Sequence, residues 1–444
     1  MAGGVAPWSD DVDSRPGGAR GMRLCLANEY FPPFAPGGAE WSLEALARAL
    51  AARGHHVVIV TPNYGAAPTE AREGFRVVRF PFPRRLPPGR SWLTPKWLAN
   101  PLFYLWAAFH LTRVARREGA QLLHAQNKQM LIPALLAGRW LGRPVFVTLR
   151  DGSIVDAAPV CLHHGDQMPS DCGVRKLWRE CSEEYWRLYA RGPGRRLRTK
   201  LAFLYFWLDS RLKQLALRRV DGVIGVSEGI LDIYRRSGLL KGVARTHAVY
   251  NVPPLSVVEG DAAAARARLG LGPGPVVLYV GKRSPGKGTP DLLAAAPEVL
   301  RRVPDAVFVL VGDGATERAA PWLHCLGPRS NREVLELYQV ADVVVSPSVI
   351  PDALSRVILE AMAAGCAVVA TRVGGTPELV EDGVSGLLVE RGQPAALANA
   401  IARLLQEPAL REAFGAAARR RVAGRFAADR SVSELLAAYE AVVA

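Results

Sequence analysis

Along most of this chain, short unbroken apolar runs alternate with longer stretches whose apolar residues recur at every third or fourth position. The runs 23–28, 57–61, 121–125, 145–149 and 222–226 lack polar alternation, as strands covered on both faces do. Between the first two lies 39–53, where Leu43, Leu46, Ala47 and Leu50 keep helical spacing and Gly54 supplies a stop. Strand, helix and strand in that order predict a parallel βαβ unit. A second series, 276–280, 307–311, 343–346, 367–371 and 386–389, follows with helical stretches between its members. Residues 394–406, 409–422 and 431–443 predict three closing helices. The expected fold class is α/β, with two doubly wound Rossmann-like domains. The first covers 22–255 with an insertion at about 152–198; the second covers 256–444, its last helix packing back toward the first. A ligand is expected in the central cleft, where the carboxyl ends of the two sheets face each other.

Composition agrees with this division. A chain of 444 residues exceeds one ordinary core, and 49% hydrophobic with 22% charged residues marks a globular class. The net charge of +15 favours anionic partners: phosphorylated ligands, an anionic membrane face or nucleic acid. No RNA-reading motif of the usual kinds is found, so no nucleic acid is expected. Six cysteines are too few for a disulfide scaffold and suggest a reducing, cytoplasmic setting; Cys25, Cys325 and Cys366 read as small core residues. Residues 1–21, rich in Gly, Pro and Asp without an apolar centre, predict a disordered tail rather than a signal peptide. The best candidate for a membrane span, 92–111, is interrupted by Pro95, Lys96, Asn100 and Pro101. Residues 191–219 interleave Arg and Lys with Leu201, Phe203, Leu204, Phe206, Trp207, Leu208 and Leu212. Such a helix either rests peripherally on the inner face of a membrane or buries its apolar side under a solvated basic one.

Three segments carry candidate chemistry. The run 276–280 breaks at Gly281 into a turn holding Lys282 and Lys287, two cations able to flank a departing diphosphate. A solvated basic turn would look the same. Next, a helix predicted over 353–364 follows Asp352 and contains Glu360. Its first amides, those of Leu354 and Ser355, would point into the cleft and favour an anion. Asp352 could receive sugar hydroxyls or simply cap the helix. Glu360 interrupts an apolar helix and therefore needs a partner or a ligand. Third, Gly37 and Gly38 precede the first helix and would let a ligand approach bare backbone, as any tight turn would. The insertion carries Cys161, His163, His164, Cys172 and Cys181, but their loose spacing matches no short Cys-x-x-Cys pattern, and no metal is expected.

Taken in order, several segments resemble the retaining glycosyltransferases of family 4, which have the GT-B fold. The match runs over about 22–440. It rests on Gly37-Gly38-Ala39-Glu40, Gly281-Lys282…Lys287-Gly288 and Gly312-Asp313-Gly314, then on Ser346-Pro347-Ser348, Asp352…Glu360-Ala361-Met362 and Gly374-Gly375-Thr376-Pro377-Glu378. The resemblance implies that Lys282 and Lys287 hold the diphosphate of a nucleotide-sugar and Glu360 its ribose. Asp352 would face the donor sugar, the amides of Leu354 and Ser355 would lie near the phosphates, and Gly38 would sit at the reacting end. It implies no metal and no cofactor, the nucleotide-sugar being a substrate, and front-face attack with the departing phosphate accepting the acceptor's proton. The acceptor would be a glycan or a lipid-linked glycan precursor. The chain departs from the family pattern at Lys282, usually arginine, at Asp352, usually glutamate, and at Ser355, usually glycine. Where many members carry His-Asp on the sugar side, it has Arg150-Asp151. An epimerase-like enzyme on the same scaffold and a weakened, sugar-binding relative are the alternatives. Neither βα turn carries the Gly-x-Gly-x-x-Gly of a nicotinamide enzyme.

Overall fold

The computed structural model describes residues 21–86, 93, 95–155, 173–190, 192–253, 262–314 and 320–443. The expected tail, the domain boundary near 255 and residues 156–172 of the insertion, with Cys161, His163, His164 and Cys172, lie outside them. In the first domain the strands are β1 (Arg23–Ala27), β2 (His56–Pro62), β3 (Thr69–Arg72), β4 (Phe75–Phe80), β5 (Leu122–Ala125), β6 (Val145–Leu149), β7 (Gly222–Gly225) and β8 (Thr246–Ala248). They form one sheet in the order β3-β4-β2-β1-β5-β6-β7-β8. The second domain has β9 (Val276–Val280), β10 (Val307–Val311), β11 (Leu323–Gly327), β12 (Val343–Ser346), β13 (Ala367–Thr371) and β14 (Leu387–Val389), in the order β11-β10-β9-β12-β13-β14. Both sheets are parallel except for the β3–β4 pair. Both are doubly wound, the order reversing beside β1 and beside β9, where an α/β sheet opens its ligand crevice.

Strands β3, β4, β8 and β11 carry no apolar run that announces them. In β4 the core-facing pattern is broken by two buried arginines, each neutralised by an acid. Arg76 meets Glu118 at 3.1 Å, and Arg79 meets Glu70 at 2.7 Å while also donating to Pro32 O. A paired arginine is tolerated in a core that would reject a lone one. Strands β3, β8 and β11 sit at sheet edges and are largely half-exposed, so their polar residues meet water.

The final helix, Ala428–Val443, lies against the first domain although it follows the second in sequence. Val432, Leu435, Leu436 and Tyr439 join Leu24, Leu26 and Phe146 in one cluster. The fully buried Tyr439 ring packs at 5.2 Å from Phe146, edge to face, and its hydroxyl meets His124 Nδ1. Replacing Tyr439 by Ala should cost about 3–5 kcal/mol in urea unfolding. A loss below about 1 kcal/mol would show that this helix merely leans on the domain.

Candidate active site in the interdomain cleft

A cavity of about 700 Å³ lies between the domains at the carboxyl ends of both sheets. The first domain contributes the loop Ala35–Gly38 and Trp41 from the helix Gly38–Ala52. The second contributes Gly281 and Lys282 after β9, Gly312 and Asp313 after β10, Arg329, and Arg356 and Glu360 of the helix Arg356–Ala364. Of the residues singled out from sequence, Gly37, Gly38, Gly281, Lys282 and Glu360 therefore share one space.

Glu360 is buried, only 4% exposed, and it has protein partners. Arg356, one turn earlier, donates from Nε to Glu360 Oε1 at 2.6 Å, and the Tyr338 hydroxyl donates to Oε2 at 3.2 Å. Burial pushes this carboxyl above the usual carboxylate range, against the pull of Arg356 and Tyr338. The Arg356 Nη1 also donates to Ser42 Oγ of the first domain at 3.2 Å. Gly38 makes that contact possible: a Cβ there would stand 2.9 Å from the Arg356 Cβ.

Lys287 and Asp352 do not line this cavity; they pair with each other at 2.8 Å. The short turn Pro285–Lys287 is laid against the end of β12, where Gly286 O accepts from Val349 N and Ile350 N. Gly288, at φ 72°, permits this, since a Cβ would come within 1.7 Å of Pro347 O. From the first domain, the Tyr189 hydroxyl reaches over and accepts from Gly286 N at 3.0 Å.

One expectation is corrected here. The helix does not begin at 353 but at Arg356, with Ser355 as N-cap, its Oγ accepting from Ile358 N. Ala353 O is already committed to the Ser227 hydroxyl, and Asp352 O accepts from Gly375 N at 2.8 Å. These bonds hold 352–355 out of the helix, so Asp352 is not its cap. Leu354 and Ser355 are buried ahead of the first turn.

Arg150 does not line the interdomain cavity but a separate small one, with Gln126, Thr148 and Asn251. Its guanidinium donates to Gln126 O, Gln126 Oε1 and Asn251 Oδ1 at 2.8–3.0 Å. Burial draws it down to about 10, while Glu40 and Glu29 pull upward, so it stays cationic at neutral pH. Asp151 accepts from Lys128 Nζ at 3.2 Å and from Ser153 N at 2.9 Å. Burial would raise Asp151, yet Lys128 and Ser153 hold it below the usual range. The two acids that act on Arg150, Glu29 and Glu40, were given no site role from sequence. Burial pushes Glu29 up to about 7 against the pull of Lys128 and Lys213, and pushes Glu40 up to about 8 with help from Glu29.

Residues 37–252 match the glycosyl transferase 4-like domain, and residues 274–407 match the glycosyl transferases group 1. The chain belongs to the group 1 glycosyltransferases. The D-inositol 3-phosphate glycosyltransferase of Segniliparus rotundus is 38% identical over 199 residues, which cover 41% of this chain and 44% of that protein. The GDP-mannose-dependent alpha-(1-6)-phosphatidylinositol monomannoside mannosyltransferase of Mycolicibacterium smegmatis is 33% identical over 235 residues, covering 48% of this chain and 61% of the relative. The chain spans about half the length of the curated relatives it matches. Among solved structures, Anabaena HepE in complex with UDP-glucose shares the fold, with a TM-score of 0.65 at 20% identity over 94% of this chain and 99% of that one.

For a member of this family the informative omission is Arg356. A basic residue four positions before a buried acid on one helix face could have been read as the acid's partner. Ser42, Tyr338 and Tyr189 left no comparable signal, because each acts across the fold rather than along it.

The raised acids set a pH dependence. Glu40 goes from its ordinary 4.5 to about 8 in the folded chain, so between those values the folded state holds a proton the unfolded state has released. Stability then falls as pH rises through that window. Glu40→Gln should leave the melting temperature unchanged near about pH 5 and raise it near about pH 8. An equal shift at both values would mean that Glu40 is not protonated in the folded state.

Proposed function

We propose that this chain transfers a sugar from a UDP- or GDP-type nucleotide-sugar to a glycan or glycolipid acceptor, with retention of anomeric configuration, in the synthesis of a cell-surface polysaccharide or glycoconjugate. The observation that carries the reading is the cleft itself: segments far apart in sequence bring Gly37, Gly38, Gly281, Lys282 and Glu360 to one cavity between two doubly wound sheets. Support comes also from one relative that is GDP-mannose-dependent and from a neighbour in fold solved with UDP-glucose.

In this reading Glu360 receives the ribose hydroxyls, exchanging part of its bond with Arg356 or Tyr338 for them. Lys282, Lys287 and the amides of Leu354 and Ser355 balance the charge that develops on the diphosphate as the sugar leaves. Asp352, paired with Lys287, faces the sugar, and Arg150 and Asp151 border it from the first domain. The bond from the anomeric carbon to the phosphate oxygen breaks as the acceptor oxygen bonds to that carbon on the same face. The acceptor's proton passes to the departing phosphate. No protein nucleophile takes part, no cofactor is assigned, and the lysines supply the positive charge without a metal.

UDP or GDP should raise the melting temperature, and Glu360→Ala should remove that shift. Absence of a shift with every nucleoside diphosphate tried would defeat the donor assignment. Lys287→Ala should lower kcat on the order of a hundredfold while leaving KM for the donor nearly in place. An unchanged kcat would refute its role at the leaving group.

A further inference from the structure

Most of the large apolar side chains left exposed among the described residues sit on two neighbouring helices of the first domain. The helix Arg195–Leu217 leaves a row of leucines outside. Its outer side carries Leu197, Leu201, Leu204, Leu208, Leu212 and Leu215, between 36% and 60% exposed and spaced about one per turn along its length. Its inner side carries Phe203, Ala216 and Leu217, interrupted by the polar Thr199, Asp209, Ser210 and Lys213. Those polar groups are satisfied where they lie: Lys213 Nζ donates to Asp209 Oδ2 and to Gln129 Oε1, each at 2.6 Å. A helix facing water ordinarily carries polar residues in place of that outer leucine row.

The helix Pro101–Arg117 repeats the theme. Leu102 is 80% exposed, and Leu105, Trp106 and Phe109 stand out beside it, while Arg113, Arg116 and Arg117 occupy the exposed positions of the second half. Tyr104 donates to Asp209, and Tyr205 donates to Ala99 O, which ties the two helices together. A groove of about 700 Å³ opens next to Leu102 and Trp106, and the Arg84 guanidinium lies 4.1 Å above the ring of Trp97 at its wall. No helix among the described residues is long and apolar enough to cross a membrane.

We propose that these two helices form a surface that docks on an anionic lipid bilayer, with the leucine row and Trp106 in the interfacial layer and the arginines among the headgroups. Charge decides the occupant. The only acid on either helix is Asp209, which is buried and paired with Lys213. Glu183, on the adjoining helix Ser182–Tyr189, is taken up by Arg196 and Lys200. Two copies pressed together here would oppose arginine to arginine. Anionic headgroups neutralise the same arginines while the upper acyl region takes the leucines. This surface is independent of the donor cavity, and the proposal does not rest on the transferase reading.

Vesicle sedimentation tests it. Phosphatidylcholine vesicles containing phosphatidylglycerol should pellet the full chain at low salt; phosphatidylcholine alone should pellet far less, and added salt should release it. Leu201→Gln with Leu208→Gln should cut partitioning about a hundredfold, about tenfold for each leucine, with circular dichroism unchanged. Arg113→Gln with Arg116→Gln should weaken binding to the anionic vesicles only. The proposal is overturned if the chain fails to pellet with phosphatidylglycerol vesicles at low salt. It is equally overturned if ultracentrifugation shows a dimer that the double leucine variant dissolves. Either failure leaves nucleotide binding, read by the melting shift, untouched.

Discussion

A carboxylate closed off from water needs a cation or a donor, and Glu360 finds both inside the second domain, in Arg356 and Tyr338. Much of the cleft follows from that pairing. Because Arg356 also reaches Ser42, the guanidinium spans the gap between the domains. Because its stem passes the start of the first helix so closely, residue 38 has no room for a side chain. The groups that would meet the donor and the groups that set the spacing of the domains thus share one residue. A truncation at Arg356 would leave Glu360 buried with less compensation and loosen the domain contact at once.

Charge is arranged differently in the cleft and on the outer surface. Several cations in and around the cleft come with carboxylates: Arg356 with Glu360, Lys287 with Asp352, Lys128 with Asp151. Lys282 and Arg329 line the cavity as well. A substantial share of the chain's positive charge sits on the two apolar helices, whose single acid is buried. Net charge alone pointed to anionic partners in general; its distribution places a few cations at the cleft and a larger group on the outer helices.

How far the sequence could be read follows the range of the interactions. Strands covered on both faces, such as β9, β12 and β13, announce themselves through unbroken apolar runs, and the glycines at 281 and 365 mark where strand and helix end. Strand β4 was hidden, since Arg76 and Arg79 look like surface residues until Glu118 and Glu70 are found beside them. The helix start was misplaced by three residues, because the bonds that hold 352–355 extended come from Ser227 in the other domain and from Gly375. Spacing revealed Glu360 as an acid in need of company; only the fold names Tyr338 and Ser42. Local rules placed the glycines and the lysine that reach the cavity, and long-range packing decided what else stands around them.

The outer surface and the cleft are not mechanically separate. Tyr104 of one exposed helix bonds Asp209 of the other, Asp209 holds Lys213, and Lys213 holds Gln129 in the turn after β5. The residue before Gln129 is Lys128, bound to Asp151 at the carboxyl end of β6. Its middle members, Asp209, Lys213 and Gln129, are buried, so breaking a bond among them would strand a polar group away from water. This series of contacts links the two exposed helices to the turn after β5 and, through Lys128, to the carboxyl end of β6.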